Sequence, residues 1–269
     1  MPQFSLRPDT TKYEPRNALS LALASRLAYE EGDVIEGTVR NDWNFPRFYF
    51  FSKRETQGFI AGNDQAVLAA FRGTQPNQLQ DWMTDADVAF VEGPAGHGEV
   101  HAGFARALGY VWEEVSDKIA EFQGNAQSLW FAGHSLGAAL ATLAVAKLRL
   151  ERDKPVYGLY TFGQPRTGDR EFARIFDADF KEQSFRFVNN NDIVTRVPLR
   201  EWGYSHVGRF LYFDVEGKIH DDLHWWYRFL DRVKGRVEDL GKMGPDGIKD
   251  HDMRSYIANL EKNQGFRLP

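Results

Sequence analysis

The sequence predicts an α/β fold, with a mainly parallel central sheet covered by helices on both faces. Three observations carry that reading. Short apolar runs of strand length alternate with longer segments in which apolar residues recur every three or four positions. Clusters of Gly, Asn and Asp punctuate them, and no repeat, low-complexity stretch or Pro/Gly/Ser-rich linker divides the chain. At 269 residues, 42% hydrophobic and 26% charged, the chain is long and apolar enough for one large core, so a single domain over 1–269 is expected.

The elements follow in order. Residues 18–29 read as an amphipathic helix with Asn17 as its N-cap. Residues 57–61 and 66–71 read as two strands joined across Gly62, Asn63 and Asp64, and they lead into the turn Arg72-Gly73-Thr74. Over 103–122, Phe104, Leu108, Val111, Trp112, Val115 and Ile119 fall on one face of a single helix. A short apolar strand at 128–132 precedes an alanine-rich helix at 136–150. Strands at 156–162 and 184–188 flank a helix at 169–176, with Asp169 as its cap. Residues 209–214 and 218–219 form a late hairpin around Glu216 and Gly217. A helix at 222–237, a Gly/Pro/Asp loop at 241–250 and a final helix at 252–260 complete the chain, with His251 at the head of the last.

Composition excludes several classes. A net charge of -5 without any basic block removes the electrostatic footprint of a nucleic-acid binder. The absence of cysteine removes disulfides, thiolate metal sites and Cys nucleophiles. No apolar run approaches the ~20 residues of a membrane span. The apolar stretch 18–24 follows Arg7, Lys12 and Arg16. Asp9 and Glu14 interrupt that basic region, however, and the apolar residues run on into Leu27, Ala28 and Tyr29, so a helix is expected there rather than a signal peptide. With 21 Phe and 7 Trp, a large aromatic core is expected, some rings being available to line an apolar groove.

Gly133-His134-Ser135-Leu136-Gly137 spells G-x-S-x-G. Composition alone produces that pattern in roughly one chain in ten of this length, so its setting decides. It lies between the strand residues Leu129 to Ala132 and the helix that starts near Ala138, where a nucleophile elbow must sit. A serine hydroxyl needs a base to become a nucleophile, and the base needs an orienting carboxylate. In α/β-hydrolases these follow in the order Ser, Asp or Glu, His. Asp192, just beyond a strand at the sheet edge, is the candidate acid, and His206, His220, His224 and His251 remain as candidate bases. The oxyanion of the transition state requires backbone donors, which Leu136 and the turn bearing Thr74 can supply. His220 and His224 are four apart, as metal ligands on a helix would be. The residue after the first is Asp221, too short for the Glu of a zincin site, so no metal is expected.

With these motifs in place, the sequence resembles the fungal-type, class three triacylglycerol lipases of the α/β-hydrolase fold. Phe71-Arg72-Gly73-Thr74, Val100-His101-Ala102-Gly103-Phe104, the elbow, Tyr160-Thr161-Phe162-Gly163-Gln164-Pro165-Arg166 and Asn191-Asp192-Ile193-Val194 match in order. The resemblance implies Ser135 as nucleophile, Asp192 as acid, and Thr74 with Leu136 as oxyanion donors. The family's Gly-Tyr-Ser-His segment, matched by residues 203–206, carries a non-catalytic histidine. The catalytic one lies near the C-terminus at a helix head, which implies His251, with the aromatic Tyr256 a few residues on and His224 as the alternative. The resemblance also implies a lid at about 75–99, where Leu79, Trp82, Met83 and Ala86 share a helical face.

The function these readings imply is a serine carboxylic ester hydrolase, first a triacylglycerol lipase, acting without metal or organic cofactor. Its partner would be a lipid or other ester, met in solution or at a lipid–water interface. A phospholipase, galactolipase or feruloyl-type esterase on the same scaffold is the alternative, and a non-catalytic lipid-binding or scaffold protein is an alternative of another class. A cytoplasmic protein, or one secreted without a leader, is expected.

Overall fold

The computed structural model describes residues 2–74, 89–124, 127–221 and 245–268. Its main sheet has eight strands among the described residues: β1 (Arg47–Lys53), β2 (Thr56–Gly62), β3 (Ala66–Phe71), β6 (Ser128–His134), β7 (Gly158–Phe162), β8 (Ser184–Asn189), β9 (Arg209–Phe213) and β10 (Ile219–His220), side by side in that order. β3, β6, β7, β8 and β9 run parallel, while β1, β2 and β10 are antiparallel additions at the two edges. A separate antiparallel pair, β4 (Phe90–Glu92) and β5 (Glu99–His101), meets the 163–168 connection through a bridge from Val100 to Gly168.

The alternation of side chains along the central strands divides the core in two. Val67, Ala69, Phe71, Leu129 and Phe131 face the helices Ala102–Gly109, Trp112–Phe122, Leu136–Ala146 and Arg170–Phe180. Leu68, Ala70, Trp130, Ala132 and Phe162 face the other way, against the helices Pro15–Leu27 and Met253–Lys262. Both faces are thus covered, which is why the strands read as unbroken apolar runs rather than as polar–apolar alternation. The largest fully buried side chains are aromatic, led by Trp130, Tyr160 and Tyr204.

Several expected boundaries need correction. The first helix begins at Pro15, whose fixed φ suits the first helical position, and Asn17 is buried inside it rather than capping it. The Asn17 amide instead clasps the backbone of Arg7, accepting from its N–H at 2.7 Å and donating to its carbonyl at 3.0 Å. The single helix expected over 103–122 is two. Near Gly109 the backbone tightens to i→i−3 bonds, Tyr110 to Ala107 and Val111 to Leu108, and the axis restarts at Trp112. Part of the 241–250 loop is helical, at Pro245–Asp250. The helix expected at 222–237 lies outside the described residues. The strand β1 and the β4–β5 pair were not anticipated. No helix among the described residues is long and apolar enough to cross a membrane.

Candidate active site

Ser135 sits where β6 ends and the Leu136–Ala146 helix begins, with φ 58° and ψ -130°, a backbone conformation that non-glycine residues adopt only under constraint. The constraint is visible on both sides. A Cβ on Gly133 would lie 2.3 Å from the Gly137 carbonyl oxygen, and one on Gly137 would lie 2.2 Å from that of Phe71. Strand, turn and helix are packed backbone to backbone, so only glycine fits two residues before and after the serine. The Ser135 amide donates to the Phe162 carbonyl at 3.0 Å, tying the elbow to the neighbouring strand β7. Leu136 opens the helix, so its amide has no partner within that helix.

Asp192 and His251 come together from segments far apart in sequence. Asp192 follows β8, is fully buried, and its carboxylate accepts from the Val194 amide at 3.0 Å and from the Tyr256 hydroxyl at 2.6 Å. His251 Nδ1 lies 2.9 Å from Asp192 Oδ2 and 3.0 Å from Oδ1. A carboxylate with those donors is acceptor-only, so Nδ1 carries the hydrogen and the Nε2 of the neutral ring is left as an acceptor. His251 stands immediately before Asp252, whose side chain caps the Met253–Lys262 helix by accepting from the Arg254 amide at 2.8 Å. Tyr256, one turn into that helix, bridges the Asn189 amide, from which it accepts at 3.0 Å, to Asp192. Burial and then the charge of Asp192 raise the Tyr256 phenol well above its ordinary value, so it stays a donor. The Asp250 carboxylate accepts from the Asn190 side chain at 3.0 Å and the Asn191 amide at 3.1 Å, lashing the approach to His251 onto the approach to Asp192.

Ser135 Oγ and His251 Nε2 are both buried, and neither has a hydrogen-bond partner among the described residues. They share neighbours. A Cβ on Gly163, the residue after Phe162, would come 2.7 Å from the His251 ring, and the His134 ring stacks 4.3 Å from that of His251. An imidazole acceptor fixed by a buried carboxylate, next to a strained serine with an unused hydroxyl, is an arrangement able to take a proton from that serine. The last link, Oγ to Nε2, is not closed in this structure. Gly73, just before Thr74, packs on the elbow: a Cβ there would lie 2.9 Å from Ser135 Cβ. Thr74 follows Gly73 in the chain, and Leu136 follows Ser135.

His206 is half-buried, with Nε2 on the Thr195 carbonyl at 2.9 Å. His220 Nε2 pairs with Asp214 at 2.7 Å in the β9–β10 hairpin. His224, Trp82 and Met83 lie outside the described residues, as does the 75–88 part of the expected lid. Residues 90–99 of that expected segment lie in the β4–β5 hairpin, closed by the Gly93 amide on the Gly98 carbonyl at 2.9 Å, with Phe90 stacked on Tyr204. Asp169 caps the Arg170–Phe180 helix as expected, accepting from the Phe172 amide at 2.7 Å. Sequence reasoning missed the contacts that Tyr256 and Asp250 make. Tyr256 was noticed only as an aromatic after His251, and Asp250 offered no signal, because its partners are set by where two loops meet.

Comparison with known proteins agrees with this geometry. The family model described as Lipase (class 3) matches residues 68–202, half of the chain, from β3 to just past Asp192. Triacylglycerol lipase OBL1 of Arabidopsis thaliana is 31% identical over 91% of this chain and 55% of its own length. The secreted mono- and diacylglycerol lipase LIP4 of Malassezia restricta is 32% identical over 69% of this chain and 62% of its own. Among solved structures, a triacylglycerol lipase whose catalytic centre is described as a serine protease triad superposes with a TM-score of 0.60 at 25% identity, covering 76% of this chain and 82% of that one. The chain spans little more than half the length of the plant relative. With its mainly parallel sheet, the elbow on β6 and this match across half its length, the chain belongs to the class 3 lipase family of the α/β-hydrolase fold.

Proposed function

We propose that the protein hydrolyses carboxylic esters of lipids, acylglycerols first, through an acyl-enzyme on Ser135. The observation that carries this reading is the buried Asp192–His251 pair, whose Nε2 is left as an acceptor beside a strained, buried Ser135. His251 Nε2 takes the Oγ proton as Oγ attacks the ester carbonyl carbon, and Asp192 steadies the imidazolium that forms. The carbonyl oxygen becomes an oxyanion held by the backbone amides of Leu136 and Thr74. Its collapse breaks the bond to the alcohol oxygen, which leaves with the proton from His251. Water then gives a proton to His251 as it attacks the acyl carbon, and the carboxylic acid departs while Oγ recovers its hydrogen. Metal and cofactor have no part in these steps.

The acylglycerol substrate is supported by the relatives, which are named as lipases of tri-, di- and monoacylglycerols. A lipid–water interface as the place of reaction follows from the insolubility of such esters. A hydrolysis panel varying acyl length and head group, run below and above each ester's solubility limit, tests both points. Acylglycerols should be turned over fastest, with a rise in rate once substrate forms a separate phase. Preference for phospholipids or for aryl esters of hydroxycinnamic acids would replace the substrate assignment, and smooth saturation through the solubility limit would remove the interface.

A further inference from the structure

We propose that Tyr29 and His134 position the oxyanion turn and the general base as one unit, through a hydrogen-bonded chain from the Gly73 turn to the backbone carbonyl of His251. The inference rests on the reading of Ser135, His251 and Thr74 just given. It assigns a task to the variable residue of G-x-S-x-G and to a tyrosine more than a hundred positions earlier.

The contacts are short, the first half-buried and the second buried. Tyr29 Oη lies 2.7 Å from His134 Nδ1, and His134 Nε2 lies 2.7 Å from the His251 carbonyl oxygen. Their donor directions follow from one end. A carbonyl only accepts, so Nε2 carries a hydrogen. Burial, then the neighbouring His251, hold the His134 pKa well below its ordinary value, so the ring is neutral and Nδ1 is an acceptor. Tyr29 must therefore donate to it, and its own oxygen turns its lone pairs outward. Gly73 is what they meet: a Cβ at that position would fall 2.3 Å from Tyr29 Oη and 2.6 Å from the His134 carbonyl. Burial raises the Tyr29 phenol, an effect that Arg72 and the Gly73 backbone amide partly offset, so the hydroxyl keeps its proton and can serve as that donor.

The geometry links the parts whose relative placement matters for acyl transfer. Gly73 immediately precedes Thr74, His134 is covalently joined to Ser135, and the far end of the chain grips the main chain of His251 rather than its ring. The His134 ring also lies under the His251 ring at 4.3 Å between centroids, tilted by 32°. Asp192 fixes the direction of the His251 imidazole, while His134 fixes the height of its backbone against the elbow. Tyr29, just past the end of the Pro15–Leu27 helix, brings the turn to the same reference. These two residues touch neither the substrate nor the transferred proton, so they are positioning residues.

The test is Tyr29→Phe, which keeps the ring and its packing and deletes only the oxygen. With a water-soluble short-chain ester, kcat should fall roughly tenfold, the scale of one lost hydrogen bond, with KM within about twofold of wild type. Phosphonylation of Ser135 by a soluble p-nitrophenyl phosphonate should slow by a similar factor. In a His134→Gln background the same substitution should add less than its full effect, because the two act in series. A merely structural role would lower the thermal midpoint and leave the split between kcat and KM unmoved in folded protein. Unchanged kcat in Tyr29→Phe with Ser135 still labelled, a loss confined to KM, or losses that multiply in the double variant would each overturn the inference. Absence of label on Ser135 in the wild-type protein would instead remove the nucleophile assignment, and the positioning role with it.

Discussion

Among the described residues, two aspartate–histidine pairs are of almost equal length. Asp192 and His251 meet at 2.9 Å beside the elbow, and Asp214 and His220 meet at 2.7 Å in the β9–β10 hairpin. Distance does not tell them apart. In the first, the carboxylate is fully buried and is fed by Tyr256 and the Val194 amide, and the second ring nitrogen of the histidine is buried without a hydrogen-bond partner among the described residues. In the second, side-chain exposures rise to 8% and 13%, and Asp214 spends its other bonds on the turn, accepting from the Glu216 amide at 3.1 Å and the Lys218 amide at 2.9 Å. The lesson is that such a pair is marked out by the burial of its carboxylate and by the segments that hold it, and not by its length.

The largest contrast should appear in turnover. His251→Ala should cost at least ~10³-fold in kcat and Asp192→Asn a comparable or larger factor, as for triad members elsewhere. His220→Ala and Asp214→Asn should stay within about twofold on the same soluble ester. A His220 variant as damaged as the His251 one, in folded protein, would erase the distinction. Next in size is Tyr256→Phe, which removes the 2.6 Å hydrogen bond to Asp192 and should lower kcat about tenfold with little change in KM.

Stability against pH sharpens the comparison further. His134 is buried and His206 half-buried, and desolvation first, with their neighbours, holds both well below the ordinary histidine value. Below about pH 6.5 the unfolded chain binds protons at these positions while the folded one does not, so stability should fall as pH drops through that value. Thermal midpoints from pH 8 to pH 5 should decline, and His206→Gln should flatten the decline without abolishing ester hydrolysis. The smallest effect belongs to Asp214. Burial pushes its carboxyl up, but the hydrogen bond from His220 and those from the Lys218 and Glu216 amides outweigh it and hold the pKa below 3.8. Its contribution is therefore present above about pH 4 and lost as pH falls through the lower folded value. Asp214→Asn should lower the thermal midpoint slightly at pH 7, and by progressively less as pH falls below about 4.

How much of this was legible in the sequence differs by kind. The elbow was, because Gly133, Ser135 and Gly137 sit in a local strand–turn–helix pattern that only close packing explains. Asp192 and Asp169 were, since each stands at the end of an element where its side chain has one natural task. His251 was reached by resemblance, as no local rule separates it from three other histidines. The break near Gly109 was not legible, because the apolar spacing continues through it and only tertiary packing turns the axis. Asn17 misled for the opposite reason, as a good capping residue whose amide is used by a distant backbone at Arg7. Tyr29 and His134 could not have been paired at all, their contact being made by a helix end meeting a strand end across the sheet.

The central claim is that Ser135 is the nucleophile, and one measurement reaches it directly. Wild-type protein is treated with an excess of diethyl p-nitrophenyl phosphate and then analysed by intact mass and by peptide mapping. The account predicts a single diethyl phosphoryl adduct on the peptide containing Ser135, complete loss of ester hydrolysis in step with it, and no adduct in Ser135→Ala. Labelling at another residue, or loss of activity with Ser135 unmodified, would contradict it.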